Sequence, residues 1–117
     1  MPPLRVLEVF NDMKEISVTE LKEMIDEGKD FQLIDVREKN EFDLADIGGE
    51  LIPLGTVPNN VDKFSKDKMV VVHCRSGKRS ANAIEYLEQN HGFTNLYNLK
   101  GGYLAWVEEI DDSLPRY

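Results

Sequence analysis

The run Met69-Val70-Val71-Val72-His73 leads directly into Cys74-Arg75-Ser76-Gly77-Lys78-Arg79-Ser80, and this junction constrains the fold more than any other segment. A run of β-branched residues with no polar alternation suits a strand covered on both faces, as in a parallel sheet. Beyond the glycine-containing loop, Ser80 is placed to cap a helix that carries Ala81, Ile84 and Leu87 on one face and stops at Asn90-His91-Gly92. Strand, tight turn and helix in this order make up the repeating unit of an α/β domain.

The rest of the chain repeats the pattern. Ser17 with Glu20 forms a capping box before Val18, Leu21, Met24 and Ile25, which recur at helical spacing up to Gly28. Phe31 to Val36 reads as a second strand buried on both faces, and its end delivers Asp35 and Arg37. Lys39 to Leu44 reads as a short helix broken at Gly48-Gly49, followed by a short strand Glu50 to Pro53 and another helix beginning at Pro58. Asn95 to Leu99 alternates like a strand, and Gly101-Gly102 turns into a last helix in which Tyr103 and Trp106 are expected to be core aromatics. Residues 1–117 are expected to form a single domain, with its core at about 14–108.

No apolar run reaches the roughly 18 residues of a membrane helix, and Met1-Pro2-Pro3-Leu4-Arg5 is unlike a secretory signal, so a complete chain would be cytoplasmic, with no membrane partner. With 22 acidic against 14 basic residues the net charge is −8, which argues against nucleic acid as a partner. A single cysteine rules out an internal disulfide and makes a poor metal site, and nothing suggests a metal, flavin or nucleotide cofactor.

Against that acidic background, Arg75, Lys78 and Arg79 stand within five residues of Cys74, at the carboxyl end of a strand where open α/β sheets hold their ligands. Backbone N–H groups in such a loop can form an anion-binding nest, Gly77 relieves its steric limits, and the next helix presents its positive end. A thiol there should ionise below its ordinary value of about 8.5. The alternative, Cys74 as a small packing residue, leaves the loop, the cations and the helix start without a purpose.

The segment His73 to Ser80 resembles the active-site loop of rhodanese-type sulfurtransferases. Leu33-Ile34-Asp35-Val36-Arg37 with Glu41-Phe42 resembles their upstream signature, and Leu99-Lys100-Gly101-Gly102 with Ala105-Trp106 their closing motif. The three occur in order and span about residues 16–107. The resemblance implies an α/β fold with a central, mainly parallel five-stranded sheet flanked by helices. It implies that Cys74 accepts sulfur as the nucleophile and that Arg75, Ser76, Gly77, Lys78 and Arg79 cradle it. Asp35, Arg37 and Ser80 become supporting residues. For Asp35 and Arg37 the alternative is a structural ion pair, for instance Arg37 with Glu41.

In the implied reaction Cys74 takes the outer sulfur of thiosulfate or of a persulfide and passes it on, with Arg75 and Lys78 holding the donor's oxyanion. Cysteine-dependent phosphatases of the cell-division-cycle type share this fold, but their loop places arginine six residues after the cysteine, where this chain has Ser80. A cysteine protease would need a histidine beside the thiol, and neither His73, which should face the opposite side of the strand, nor His91 is suitably placed. A non-catalytic binding module is a further reading, although such relatives typically lack the cysteine. Asp46-Ile47-Gly48-Gly49 departs from the histidine and proline common at that point, which leaves the acceptor more open than the chemistry. The ending, through Ile110-Asp111 to Pro115-Arg116-Tyr117, resembles rhodanese domains fused to adenylyltransferases of molybdopterin or thiamine pathways. That finer likeness implies a small sulfur-carrier protein as partner, with Glu108, Glu109, Asp111 and Asp112 either facing it or simply solvated.

Overall fold

A computed structural model describes residues 13–117. In chain order the elements are β1 (Glu15–Ile16), α1 (Val18–Asp26), β2 (Gln32–Asp35), α2 (Lys39–Leu44), β3 (Glu50–Leu51), two 3-10 helices (Leu54–Asn59 and Val61–Lys63), β4 (Val70–His73), α3 (Lys78–His91), β5 (Leu96–Leu99) and α4 (Gly102–Glu109). The five strands form one parallel sheet in the order β1-β5-β4-β2-β3. Among the described residues no helix is long and apolar enough to cross a membrane.

The valine run forms the central strand, and all four residues of β4 are buried. Because side chains alternate along a strand, Val70 and Val72 pack on one face with Ile34, Ala83, Ile84, Leu87 and Leu96. Val71 packs on the other face with Ile16, Val18, Leu21, Leu99 and Trp106. Helix α3 covers the first face, and α1 packs with α4 on the second. Strand β2 departs from the expected two-sided burial, since Gln32 and Leu33 are half-exposed and only Ile34 and Asp35 are buried.

The capping box at Ser17 forms as the sequence predicts, with the Ser17 hydroxyl accepting from Glu20 N at 3.0 Å and the Glu20 carboxylate accepting from Ser17 N at 2.9 Å. Two local expectations are corrected, and one strand is added. Pro58 does not begin a helix but lies inside the 3-10 helix Leu54–Asn59. Ser80 does not cap α3: Gly77 takes that position with φ of 106°, and Ser80 lies in the first turn with its side chain turned inward. The fifth strand, β1, comes from the featureless start of the chain and is held to β5 by Asn98 N donating to Lys14 O and Lys100 N donating to Ile16 O.

Candidate active site

The alternation that splits the core also divides the chemistry at the end of β4. Cys74 continues the parity of Val70 and Val72 and faces the first turn of α3, whereas His73 faces the opposite side beside Asp35. Cys74 is 1% exposed. Its Sγ accepts hydrogen bonds from Gly77 N at 3.1 Å and Ser80 N at 3.4 Å, and the Ser80 hydroxyl lies 3.4 Å away. The loop curls because Gly77 adopts the left-handed conformation, which strains any residue with a Cβ. These donors form the anion nest expected at a helix N-terminus.

Burial pushes the Cys74 thiol up, but the Ser80 hydroxyl, the backbone N–H groups of Ser80, Gly77 and Ser76 together outweigh it, and the thiol ionises below its ordinary value. The direction matches expectation, and of the two expected causes it is the helix terminus and its loop, through the Ser80 hydroxyl and the backbone N–H groups, that lower the thiol, while Arg75 and Arg79 are engaged with Tyr117 and Glu41.

Arg79 forms a bidentate pair with Glu41 at 2.7 and 2.9 Å, and that pairing holds the Glu41 carboxyl down to about 2. Arg37 does not pair with Glu41. It is fully buried and grips Asp35 through Nε and Nη2, at 2.8 Å for the shortest contact, while Nη2 also donates to Ala45 O at 2.7 Å. The guanidinium stacks on the Tyr103 ring with its carbon 4.7 Å from the centroid. Asp35 and Arg37 therefore fasten the segment after β2 to the sheet and do not touch the sulfur. Arg75 donates to the main-chain oxygen of Tyr117 and lies over its ring at 5.1 Å. Lys78 is exposed and, among the described residues, has no side-chain partner.

His73 is buried with Nε2 3.6 Å from Asp35 and without a hydrogen-bond partner. Burial lowers its pKa more than Asp35 raises it, so the ring is neutral and the contact is not an ion pair. His91 sits at the exposed far end of α3, where its Nε2 is 3.2 Å from the Tyr86 hydroxyl. Neither histidine is hydrogen-bonded to the Cys74 thiol, although His73 Nδ1 lies 3.5 Å from the Cys74 carbonyl oxygen. Tyr103 and Trp106 are core residues as expected, at 0% and 8% exposure. Among the described residues no cluster of three His, Cys, Asp or Glu side chains is placed to hold a metal.

Three participants are absent from the residues expected at the site. Asn98 on β5 is buried, accepts from the Ser80 hydroxyl at 2.6 Å and donates to Gly77 O at 3.0 Å, so one carboxamide braces both ends of the loop. The usable signal was a polar residue on an inward position of an otherwise apolar strand. Gly102 allows α4 to approach the loop: a Cβ there would meet Cys74 O at 2.5 Å and Arg75 O at 2.8 Å. This closeness lets Tyr103 N and Leu104 N donate to those two carbonyls at 2.9 and 3.0 Å. Tyr117 is the third, and its hydroxyl accepts from Arg37 Nη1 at 2.9 Å and donates to Glu41 at 2.8 Å.

A buried thiol at the end of the central strand of a five-stranded parallel sheet, held by amides of a tight loop and of the first turn of the helix that follows, marks a rhodanese-like domain. The chain belongs to this family, whose model, described as Rhodanese-like domain, matches residues 17–109. It is 40% identical over 99 residues to YtwF of Bacillus subtilis, covering 84% of this chain and 94% of that protein. A protein of Allochromatium vinosum named Sulfurtransferase is 35% identical over 96 residues, with 81% and 89% covered. UBA4 of Debaryomyces hansenii, named an adenylyltransferase and sulfurtransferase, is 32% identical over 113 residues, which cover 87% of this chain but 25% of that protein. The crystal structure of a rhodanese-like domain protein from Staphylococcus aureus superposes with a TM-score of 0.75 at 36% identity, over 90% of this chain and 99% of that one.

Proposed function

We propose that the protein is a sulfurtransferase that accepts a sulfane sulfur from thiosulfate or a persulfide donor onto Cys74 and passes it to a thiophilic acceptor. The observation that carries this reading is the Sγ of Cys74 held by Gly77 N, Ser80 N and the Ser80 hydroxyl within 3.4 Å, with no histidine or carboxylate of the described residues hydrogen-bonded to it. The thiolate attacks the outer sulfur of thiosulfate, the S–S bond breaks, and its electron pair leaves with sulfite. The new Sγ–S bond ends in an anionic sulfur that the loop amides of residues 75–80 are suited to stabilise. An acceptor thiolate then takes the terminal sulfur and returns the Cys74 thiolate. Neither step needs a proton acceptor at the cysteine, which suits a site where both histidines face elsewhere.

A phosphatase reading of the same fold requires an arginine fork over the thiolate. Here Ser80 occupies the sixth position after Cys74, and Arg79 is spent on Glu41. Arg75 and Lys78 serve in the proposal as the donor's anchoring cations, Ser76 as an amide of the nest, and Asp35 and Arg37 as its bracing. The likeness to domains fused to adenylyltransferases favours a small sulfur-carrier protein as acceptor, and a free thiol fits a cytoplasmic setting. The test is the intact mass after brief exposure to thiosulfate or a persulfide and desalting. A gain of one sulfur, removed by cyanide and absent in Cys74→Ser, is expected; no gain from either donor would overturn the reading.

A further inference from the structure

The loop supplies three cations in sequence, but the structure disposes of them unequally. Arg79 is neutralised by the Glu41 side chain at 2.7 Å, while Arg75 is occupied by the main-chain oxygen of Tyr117. Two guanidiniums approach the Tyr117 ring, with the carbon of Arg75 at 5.1 Å and that of Arg37 at 6.0 Å from its centroid. Its ring also tilts against Tyr103 at a centroid distance of 5.4 Å. The Tyr103 hydroxyl holds the same tail by donating to Pro115 O at 2.6 Å. Hydroxyl, ring and main-chain oxygen thus place one residue where it competes for the cation closest in sequence to the thiol.

We propose that Tyr117 is a specificity-determining residue that occupies Arg75 and thereby disfavours small oxyanion donors relative to persulfides. The inference rests on the sulfurtransferase reading for its consequence, but the competition itself is independent of turnover. A guanidinium that already has a hydrogen-bond acceptor and an aromatic face gains less from an oxyanion than a free one does. Thiosulfate presents such an oxyanion, and Lys78 is then the one cation of the loop that no side chain among the described residues engages. A persulfide carries its transferable sulfur without a sulfonate head and loses nothing by the arrangement.

The competition is measured with inorganic sulfate, which cannot react, as the probe. Alkylation of Cys74 by iodoacetamide is followed at rising sulfate and constant ionic strength. In Tyr117→Ala the main-chain oxygen of residue 117 loses the anchors that hold it, and the sulfate concentration that halves the rate should fall about fivefold. The effect should vanish when Arg75→Met is added, which ties it to that cation. If Tyr117→Ala does not fold, Tyr103→Phe, which removes only the bond to Pro115, should tighten sulfate binding about twofold. Unchanged protection in these variants, or tightening that survives Arg75→Met, overturns the inference. A second arm compares KM for thiosulfate with that for a persulfide whose alkyl group is uncharged and carries no sulfonate, and the fall expected in Tyr117→Ala is confined to thiosulfate. Failure of the wild-type protein to load sulfur would strike the sulfurtransferase reading and leave the sulfate result standing.

Discussion

The Ser80→Ala substitution tests how the thiol is ionised. The Ser80 hydroxyl has one proton, and two acceptors claim it: Asn98 Oδ1 at 2.6 Å and Cys74 Sγ at 3.4 Å. The carboxamide cannot turn to relieve the conflict, because its Nδ2 must face Gly77 O at 3.0 Å. In the thiol form the hydroxyl therefore donates to Asn98 and accepts from the S–H. On ionisation it must swing to the sulfur and give up the Asn98 bond. A charge-assisted bond contributes about 1.5–3 kcal/mol and the neutral one it replaces about 0.5–1.5 kcal/mol, so the hydroxyl's net share is about 1 kcal/mol. Ser80→Ala should therefore raise the Cys74 pKa by about 0.7 unit. With Gly77 N and Ser80 N still donating, the thiol should remain below its ordinary value. Leaving Asn98 Oδ1 buried without a donor should cost a further 1–3 kcal/mol or about 4–12 °C in Tm. The assay is the iodoacetamide rate against pH, with a thermal melt alongside. A pKa rise of about 2 units would refute the shared-proton argument, since that is the effect of an uncontested hydroxyl. No rise at all would show that the hydroxyl never leaves Asn98.

Gly102→Ala drives a Cβ into the carbonyls of Cys74 and Arg75 at a residue with φ of 57°. It should destabilise the protein by about 2–4 kcal/mol and slow sulfur loading, and an unchanged melt would refute the close approach of α4. Glu41 is depressed from 4.5 to about 2, so its contribution to stability is complete above pH 4.5 and declines as the pH falls toward 2. Denaturant titrations from pH 6 to 2 should show wild type losing of the order of 2 kcal/mol more than Glu41→Gln across that window. Parallel curves for the two proteins would count against the Arg79 pair.

Local chemistry was legible in the sequence wherever one short stretch specifies it. The capping box at Ser17, the helix Lys39–Leu44 and the passage from β4 through the cysteine loop each depend on spacings of a few residues. What could not be read joins distant parts of the chain. Glu41 fits Arg37 by helical spacing, yet it meets Arg79, 38 positions away, because β2 and β4 end side by side. Asn98 pairs in register with Val72 of β4, and only that register brings its carboxamide under the cysteine loop. Strand β1 is two residues long, too short for any periodicity to show, and it exists because β5 offers a free edge. Ser80 was recognised as important but for the wrong bond: a glycine took the cap, which released the serine side chain to the sulfur.

The 1% exposure of Cys74 bears on how long a sulfur atom could be kept. Persulfides in free solution are short-lived because any passing thiol or oxidant can strip them. A persulfide formed behind this loop would be shielded from such collisions, and its rate of loss would follow how often the turn opens rather than how many reductants surround it. The two amides of α4 that grip the carbonyls of Cys74 and Arg75 would then act as a latch on the cargo. Delivery would become an event that an acceptor triggers by prising the turn open, so that fidelity in sulfur traffic rests on the stiffness of a few backbone hydrogen bonds.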